Sequence, residues 1–429
     1  MLNIVLILHL LTFASSLIWA STILNTTYVS PTFQQSRSNI DQDSLASIHA
    51  LLASPSFPSG WLGQNALATV AQWDFDHKTR TFYDAFNSNE TYYADHPGGC
   101  YEYWHSPLVD CFNDDAGWAA LTSLEGYAAY GDEDYLQNAK SVHDFVSNHG
   151  FINETVIEEG YLKGTHFPNN TLVSTCDGKS MYGGVYWQNG FPSEHDQPGA
   201  FEAASQPNID SGSTAVYALL SAKLCQITSN MWYCNRSYDA LQFMDRFMID
   251  LSSGFINGPI NGKNCSREYH FVVLQTTGNY IAAYTLLSNL TSNATALTIA
   301  RKTLTSSLTT NIWNTNQGVL LHTSNTSTKV VGIQSVLIRR LHFVYPFMDA
   351  DVQDAIRQYV NIQYWSLVNY DSDNATKPLL YGSSWDGPKY TAATGRTQFE
   401  AIDVLNALAL NPDSAFPNDN SMDVPVISL

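Results

Sequence analysis

The chain has 429 residues, enough for two or three domains of usual size or for one large helical barrel. Lys and Arg number 20 against 39 Asp and Glu, and the resulting charge of −19 disfavours nucleic acid and anionic membrane surfaces as partners. Charged residues are only 14% and aromatic residues 13%, so the surface must be built largely from Ser, Thr, Asn and Gln, as suits an acidic medium and a neutral, polar ligand.

The apolar run from Ile4 to Leu17, with Ser16, Ala20 and Ser21 as small residues for cleavage, reads as a signal peptide over residues 1–20. No Lys or Arg precedes it, so an uncleaved anchor or an ordinary buried segment is the competing reading. Ten Asn-x-Ser/Thr acceptors run from Asn25 to Asn374, Asn235 among them, and favour a eukaryotic secretory route and a glycoprotein. Six cysteines without a Cys-x-x-Cys pair point to disulfides rather than a metal site. Of the fifteen connectivities, loop locality favours Cys100 with Cys111 and Cys225 with Cys234, leaving Cys176 with Cys265.

Apolar residues three and four apart predict helices over Ile40–Ala53, Gln64–Phe75, His77–Asn87, Asp115–Tyr130, Asp132–Ser147, Asn208–Ser229, Arg236–Ser252, Phe271–Leu290, Ser292–Trp313, Val331–Val344, Ala350–Trp365 and Thr394–Leu410. Short pieces at Gly183–Trp187 and Gly318–His322 suit small loop hairpins. Twelve helices joined by short turns imply six αα-hairpins closed in a ring, an all-α (α/α)6 barrel over residues 38–411 with an irregular tail at 412–429. A solenoid would show self-similar repeats, and none is present. The polar stretch Gly150–Gln206 is expected to lie over one mouth of the ring and to carry function.

Asp114 and Asp115 open one predicted helix, with Trp118 a turn later. Consecutive helical residues point about 100° apart, so the two carboxyl groups can flank a ligand at roughly 5 Å, the separation a retaining glycosidase requires. Acidic residues in a first turn also favour the helix dipole whatever their chemistry. For one of them to hold a proton, the charge of its neighbour must outweigh the helix terminus. Aromatic platforms edged by amides and carboxylates, as sugar binding needs, occur around Trp61, Gln64 and Asn65, at Tyr182–Gln188 with Tyr186 and Trp187, and at Trp385 and Asp386. Asp210 opens a further helix, ready for a ligand or for capping. No serine-nucleophile elbow, zinc-helix motif or phosphate loop is present, and no metal or cofactor is expected.

The run Asn113-Asp114-Asp115-x-x-Trp118, followed by Tyr127-x-x-Tyr130-Gly131-Asp132-x-x-Tyr135-Leu136, resembles glycoside hydrolase family 76, the endo-α-1,6-mannanases and their fungal cell-wall relatives. Cys176 with Gly183-Gly184-Val185-Tyr186-Trp187-Gln188, the helix opening at Asn208, Gly278 with Tyr284, Ser384-Trp385-Asp386-Gly387 and Thr397–Ala401 are similar to later family motifs, so the resemblance spans residues 38–411. It implies an (α/α)6 barrel that cleaves or transfers α-1,6-linked mannose with retention, Asp114 as nucleophile and Asp115 as general acid/base. Asn65, Trp118, Tyr186, Trp187 and Asp386 would be pocket residues, with Trp61, Asp210, Gln275 and Trp385 as further substrate contacts. Two positions depart from the family pattern: Ala119 replaces a second Trp, and Gln275-Thr276-Thr277-Gly278 replaces Tyr-Asn-x-Gly. The fungal relatives are commonly lipid-anchored, whereas Asp419–Leu429 is not hydrophobic, so a monomer secreted freely or held in the cell wall, with no membrane anchor, is expected. The rival readings are a non-catalytic glycan-binding protein and a uronate-processing barrel enzyme, the latter disfavoured by the scarcity of cations.

Overall fold

The computed structural model describes residues 23–24, 27–29, 31, 36–95, 112–162, 172–188, 207–250, 254–267, 274–321, 332, 334–373, 380–387 and 393–408. The expected signal peptide, the Cys100–Cys111 pairing and the tail 412–429 lie outside these residues.

The helices are α1 (Arg37–Leu52), α2 (Gly60–His77), α3 (Tyr83–Asp95), α4 (Asn113–Tyr130), α5 (Glu133–His149), the short α6 (Glu154–Glu159), α7 (Ser211–Thr228), α8 (Met231–Phe247), α9 (Leu274–Thr291), α10 (Ala294–Thr309), α11 (Ser335–Val344), α12 (Ala350–Tyr370) and α13 (Gly395–Ala407). Each expected segment overlaps one of the long helices. Where bounds differ, capping explains it. Lys78 adopts a left-handed conformation that ends α2, and the Asp74 carboxylate then accepts the amides of Thr81 and Phe82 at 2.9 and 2.8 Å, delaying α3 to Tyr83 rather than His77. Asn230 caps the Trp232 amide at 3.0 Å, so α8 begins at Met231, before the expected Arg236.

α2 packs on α4, α4 on α7, α7 on α9, α9 on α11, α11 on α13, and α13 returns to α2. This closes a ring of six inner helices. α1, α3, α5, α8, α10 and α12 form the outer layer, and α1 packs on α13, so the two ends of the described chain complete the circle. Inner helices such as α7 and α9 bury nearly every residue, whereas outer α5 buries one stripe through Leu136, Ala139, Val142 and Val146. The architecture is the expected (α/α)6 barrel.

The inner ring is pinned by buried ions as well as apolar packing. Adjacent Arg339 and Arg340 on α11 diverge: Arg339 donates to the Asn65 carbonyl and side chain on α2 at 3.2 and 3.1 Å and pairs with Asp403 on α13 at 3.2 Å. Arg340 donates to Asn279 on α9 at 2.9 Å and to Glu125 on α4 at 3.1 Å, and Lys223 on α7 meets the same Glu125 oxygen at 2.9 Å. Every inner helix contributes a member. Burial opposes the charge of Glu125, but Lys223 and Arg340 outweigh it and hold the carboxyl at about 2.

The Gly183–Trp187 piece is not a hairpin of its own. It bridges Phe151 through Val185 and Ile209 through Tyr186, because Gly183 has φ +95° and a Cβ there would lie 2.2 Å from the Asp239 carbonyl, which fixes its path across the barrel. The second piece does fold back locally, with Leu320 bridging Asn314. Cys176–Cys265 and Cys225–Cys234 are both formed, as expected, with Cα separations of 5.7 and 5.2 Å. Cys176–Cys265 closes 89 residues of chain, so Cys176→Ser is expected to lower unfolding free energy by about 3 kcal/mol in chemical denaturation. A loss below about 1 kcal/mol would show that the covalent tie adds little constraint to the unfolded chain.

Candidate active site

The short turns alternate inner and outer helices, so the inner helices share one direction and their first turns gather at one mouth. α4 begins there with Asn113, Asp114 and Asp115, and its N-cap, Phe112, supplies no capping side chain. The segment 185–188 is laid across this terminus. Asn113 donates its backbone N–H to the Trp187 carbonyl and its side-chain amide to the Tyr186 carbonyl, both at 2.8 Å, and the Phe112 and Trp187 rings lie 5.0 Å apart. The same segment reaches α7: Trp187 N–H donates to Asn208 at 2.8 Å and Asp210 N–H to Val185 at 3.1 Å. The excursion thereby brings Asp210 towards Asp114, nearly a hundred residues earlier in the chain.

Asp210 caps α7 by accepting the Ser213 amide at 3.0 Å. Asp114 is half-buried; its Oδ1 is shielded from solvent and accepts no hydrogen bond from the described residues. Burial raises its carboxyl well above the usual range, the charges of Asp115 and then Asp210 add to this, and the amides of the first turn oppose it without prevailing. The Asp210 carboxyl is raised by burial too, against the amides of Ser213, Gly212 and Ser211. The site therefore retains a proton that an open carboxylate pair would lose, as acid catalysis requires.

The early turns of the inner helices carry buried oxygens with no partner among the described residues: Gln64 on α2, Ser211 and Ser213 on α7, Gln275 and Thr276 on α9, and Gln334 at the start of α11. All are carboxamide or hydroxyl oxygens, suited to accepting from a neutral polyol. Gln334 was not expected from the sequence, its only signal being its place at the start of an inner helix, and Thr276 entered only within the Gln275–Gly278 departure from the family pattern.

The other expected contacts divide. Trp61 and Trp187 are half-buried and retain some open ring surface, and Asp386 is exposed. Tyr186 and Trp385 have no exposed surface, and Trp118 is 5% exposed within the main core, so these three shape the walls and present no free ring face in this conformation. Asn65 lies below the mouth, its side-chain oxygen taken by Arg339 and its amide donating to the Trp61 carbonyl at 3.0 Å. A Ser221–His143 hydrogen bond of 2.9 Å is sealed between α5 and α7, both residues fully buried, and burial lowers the imidazole pKa. Closed off in this way, it has no access to a substrate. Among the described residues no group of three His, Cys, Asp or Glu is placed to hold a metal ion, and no helix is long and apolar enough to cross a membrane.

A second acidic cluster lies at α13. Glu400 accepts the amides of Gly332 and Gln334 at 2.8 and 3.1 Å, yet burial pushes its carboxyl up to about 8; burial likewise raises Asp371 to about 7. An acid raised on folding stabilises the native state below its unfolded pKa and loses that contribution as pH climbs through the folded value. Stability should therefore decline from pH 5 to pH 9, and Glu400→Gln, which keeps the acceptor oxygen, should flatten the decline. Melting temperatures of the two proteins across that range check this; parallel curves would remove Glu400 as the source.

A closed ring of six inner and six outer helices, with neighbouring carboxylic acids at a mouth lined by amides, hydroxyls and indoles, defines a barrel enzyme of carbohydrate chemistry. The chain belongs to glycoside hydrolase family 76, whose sequence profile matches residues 150–420, well over half its length, and it is a glycosidase. The match starts after α4, so Asp114 and Asp115 precede it. In structure the chain is similar to the α-1,6-mannanase of Salegentibacter sp. HEL1_6, with TM-score 0.66 and 14% identity over 87% of this chain and 99% of that one. A Bacteroides thetaiotaomicron family 76 α-mannanase gives TM-score 0.63 and 15% identity over 88% and 96%. Dfg5 from Chaetomium thermophilum, in complex with glucosamine, gives 0.67 and 12% over 88% and 91%. No curated protein sequence matches the chain.

Proposed function

We propose that the protein cleaves or transfers α-1,6-linked mannose units with retention of configuration. The observation that carries this is the pair of consecutive carboxyl groups at the shielded mouth of the barrel, whose burial and mutual repulsion retain one proton. Asp115 gives its proton to the departing glycosidic oxygen while Asp114 attacks the anomeric carbon. The ester so formed is then opened by water or a sugar hydroxyl, whose proton returns to Asp115. An inactive variant of the Salegentibacter mannanase, solved with α-1,6-mannotriose, has two consecutive aspartates changed to asparagine, which supports the same pair here.

Within the barrel the cations Lys223, Arg339 and Arg340 are paired with Glu125 and Asp403, which favours a neutral glycan over a uronate. The glucosamine bound in the Dfg5 structure is in keeping with a sugar ligand, and the two disulfides support passage through an oxidising secretory compartment. The test is to incubate the protein with linear α-1,6-mannan and follow reducing ends and the first-formed anomer by proton NMR. Release or transfer with the α-anomer first is expected. Inversion would overturn the covalent step, and tight binding without turnover would favour the non-catalytic glycan-binding reading.

A further inference from the structure

Six large hydrophobic side chains are exposed among the described residues, and three of them lie on the first two turns of the outer helix α8: Met231 at 54%, Trp232 at 40% and Tyr238 at 45%. By the 3.6-residue repeat they stand at i−4, i−3 and i+3 around a single position, Asn235. That residue is exposed, and it opens the acceptor triplet Asn235-Arg236-Ser237. α8 is stapled to α7 by Cys225–Cys234, a bond that needs an oxidising compartment, where N-glycan transfer also takes place. Trp232 is fixed from beneath by His143, with ring centroids 5.3 Å apart, and Arg236 lies 5.4 Å from the Trp232 ring, so the aromatic surface beside Asn235 is held in place.

We propose that Asn235 carries an N-linked glycan whose first N-acetylglucosamine lies over Met231, Trp232 and Tyr238 and shields this patch. The donor is a lipid-pyrophosphate oligosaccharide. Transfer forms a bond from the sugar C1 to Asn235 Nδ2 and breaks the C1–oxygen bond to pyrophosphate, and the amide proton leaves with the pyrophosphate. Because Ser237 is fully buried in the folded helix, attachment precedes folding of α8. An apolar patch of this kind otherwise invites association, and the sugar's C–H face and acetyl methyl offer an apolar cover with hydroxyls outward.

The experiment uses the full-length protein secreted from a eukaryotic host. Amidase release of N-glycans in heavy-oxygen water should convert Asn235 to labelled Asp in the peptide spanning α8. On the folded protein, the same release should speed peroxide oxidation of Met231 several-fold while buried Met244 and Met248 remain unreactive. Asn235→Gln and Ser237→Ala, which both abolish the acceptor, should reproduce the faster oxidation. An unmodified Asn235, or an occupied one whose release leaves Met231 oxidation unchanged, overturns the proposal. Protection of Met231 that persists in both variants but vanishes on dilution would assign the patch to a second copy of the chain instead.

Discussion

Asparagine at position 114 or 115 is expected to lower turnover of α-1,6-mannan by about 10³- to 10⁵-fold, and the two variants should differ in kind. The departing sugar oxygen of mannan needs a proton, whereas an aryl leaving group of low pKa does not. Asp115→Asn should therefore retain much of the first step with an activated aryl mannoside and accumulate a sugar ester on Asp114, detectable by mass spectrometry; azide should then release it as the α-azide. Asp114→Asn should lose both substrates. In the free protein, burial and then the charges of Asp115 and Asp210 raise the Asp114 carboxyl so that it holds a proton, while attack requires Asp114 to be ionised. Substrate binding must shift that proton to Asp115, and the rate should fall on the alkaline side as the pair loses it. If Asp114→Asn keeps activity on the aryl substrate and Asp115→Asn does not, the two roles are exchanged.

Glu125→Gln is expected to destabilise the fold by about 3–5 kcal/mol without touching the mouth, because it leaves Lys223 and Arg340 as buried cations with no counter-charge. Glu125 lies three helical turns below Asp114 on α4, so steady-state constants of the folded variant should stay near those of the parent. Replacing Glu125, Lys223 and Arg340 together by Met should recover most of the loss, since the charge and its compensation leave together. Chemical denaturation of the single and triple variants checks this. A single-variant loss below about 1 kcal/mol would mean that water or relaxation already satisfies these cations.

The helices were legible from periodicity because their signal is local: the spacing of Trp118, Leu121 and Leu124, or of Val216, Leu219 and Leu220, encodes buried helical positions without reference to any partner. Asp114 and Asp115 were legible for the same reason, being neighbours at a helix start, as was Cys225 with Cys234, only nine residues apart. What Asn65 does was not. Its position at a helix start suits a sugar, yet Arg339, 274 residues away, takes its amide oxygen into the interior. Trp385 has the composition of a stacking platform, and only packing shows that no face of it is free. Gly183–Trp187 has the look of a turn, but its partners Phe151 and Ile209 are set by how the excursion crosses the ring. Local sequence thus determined the elements and marked the candidate pair. Closure of the barrel decided which polar groups face a ligand and which neutralise one another inside, because burial and charge pairing depend on residues that only the ring brings together.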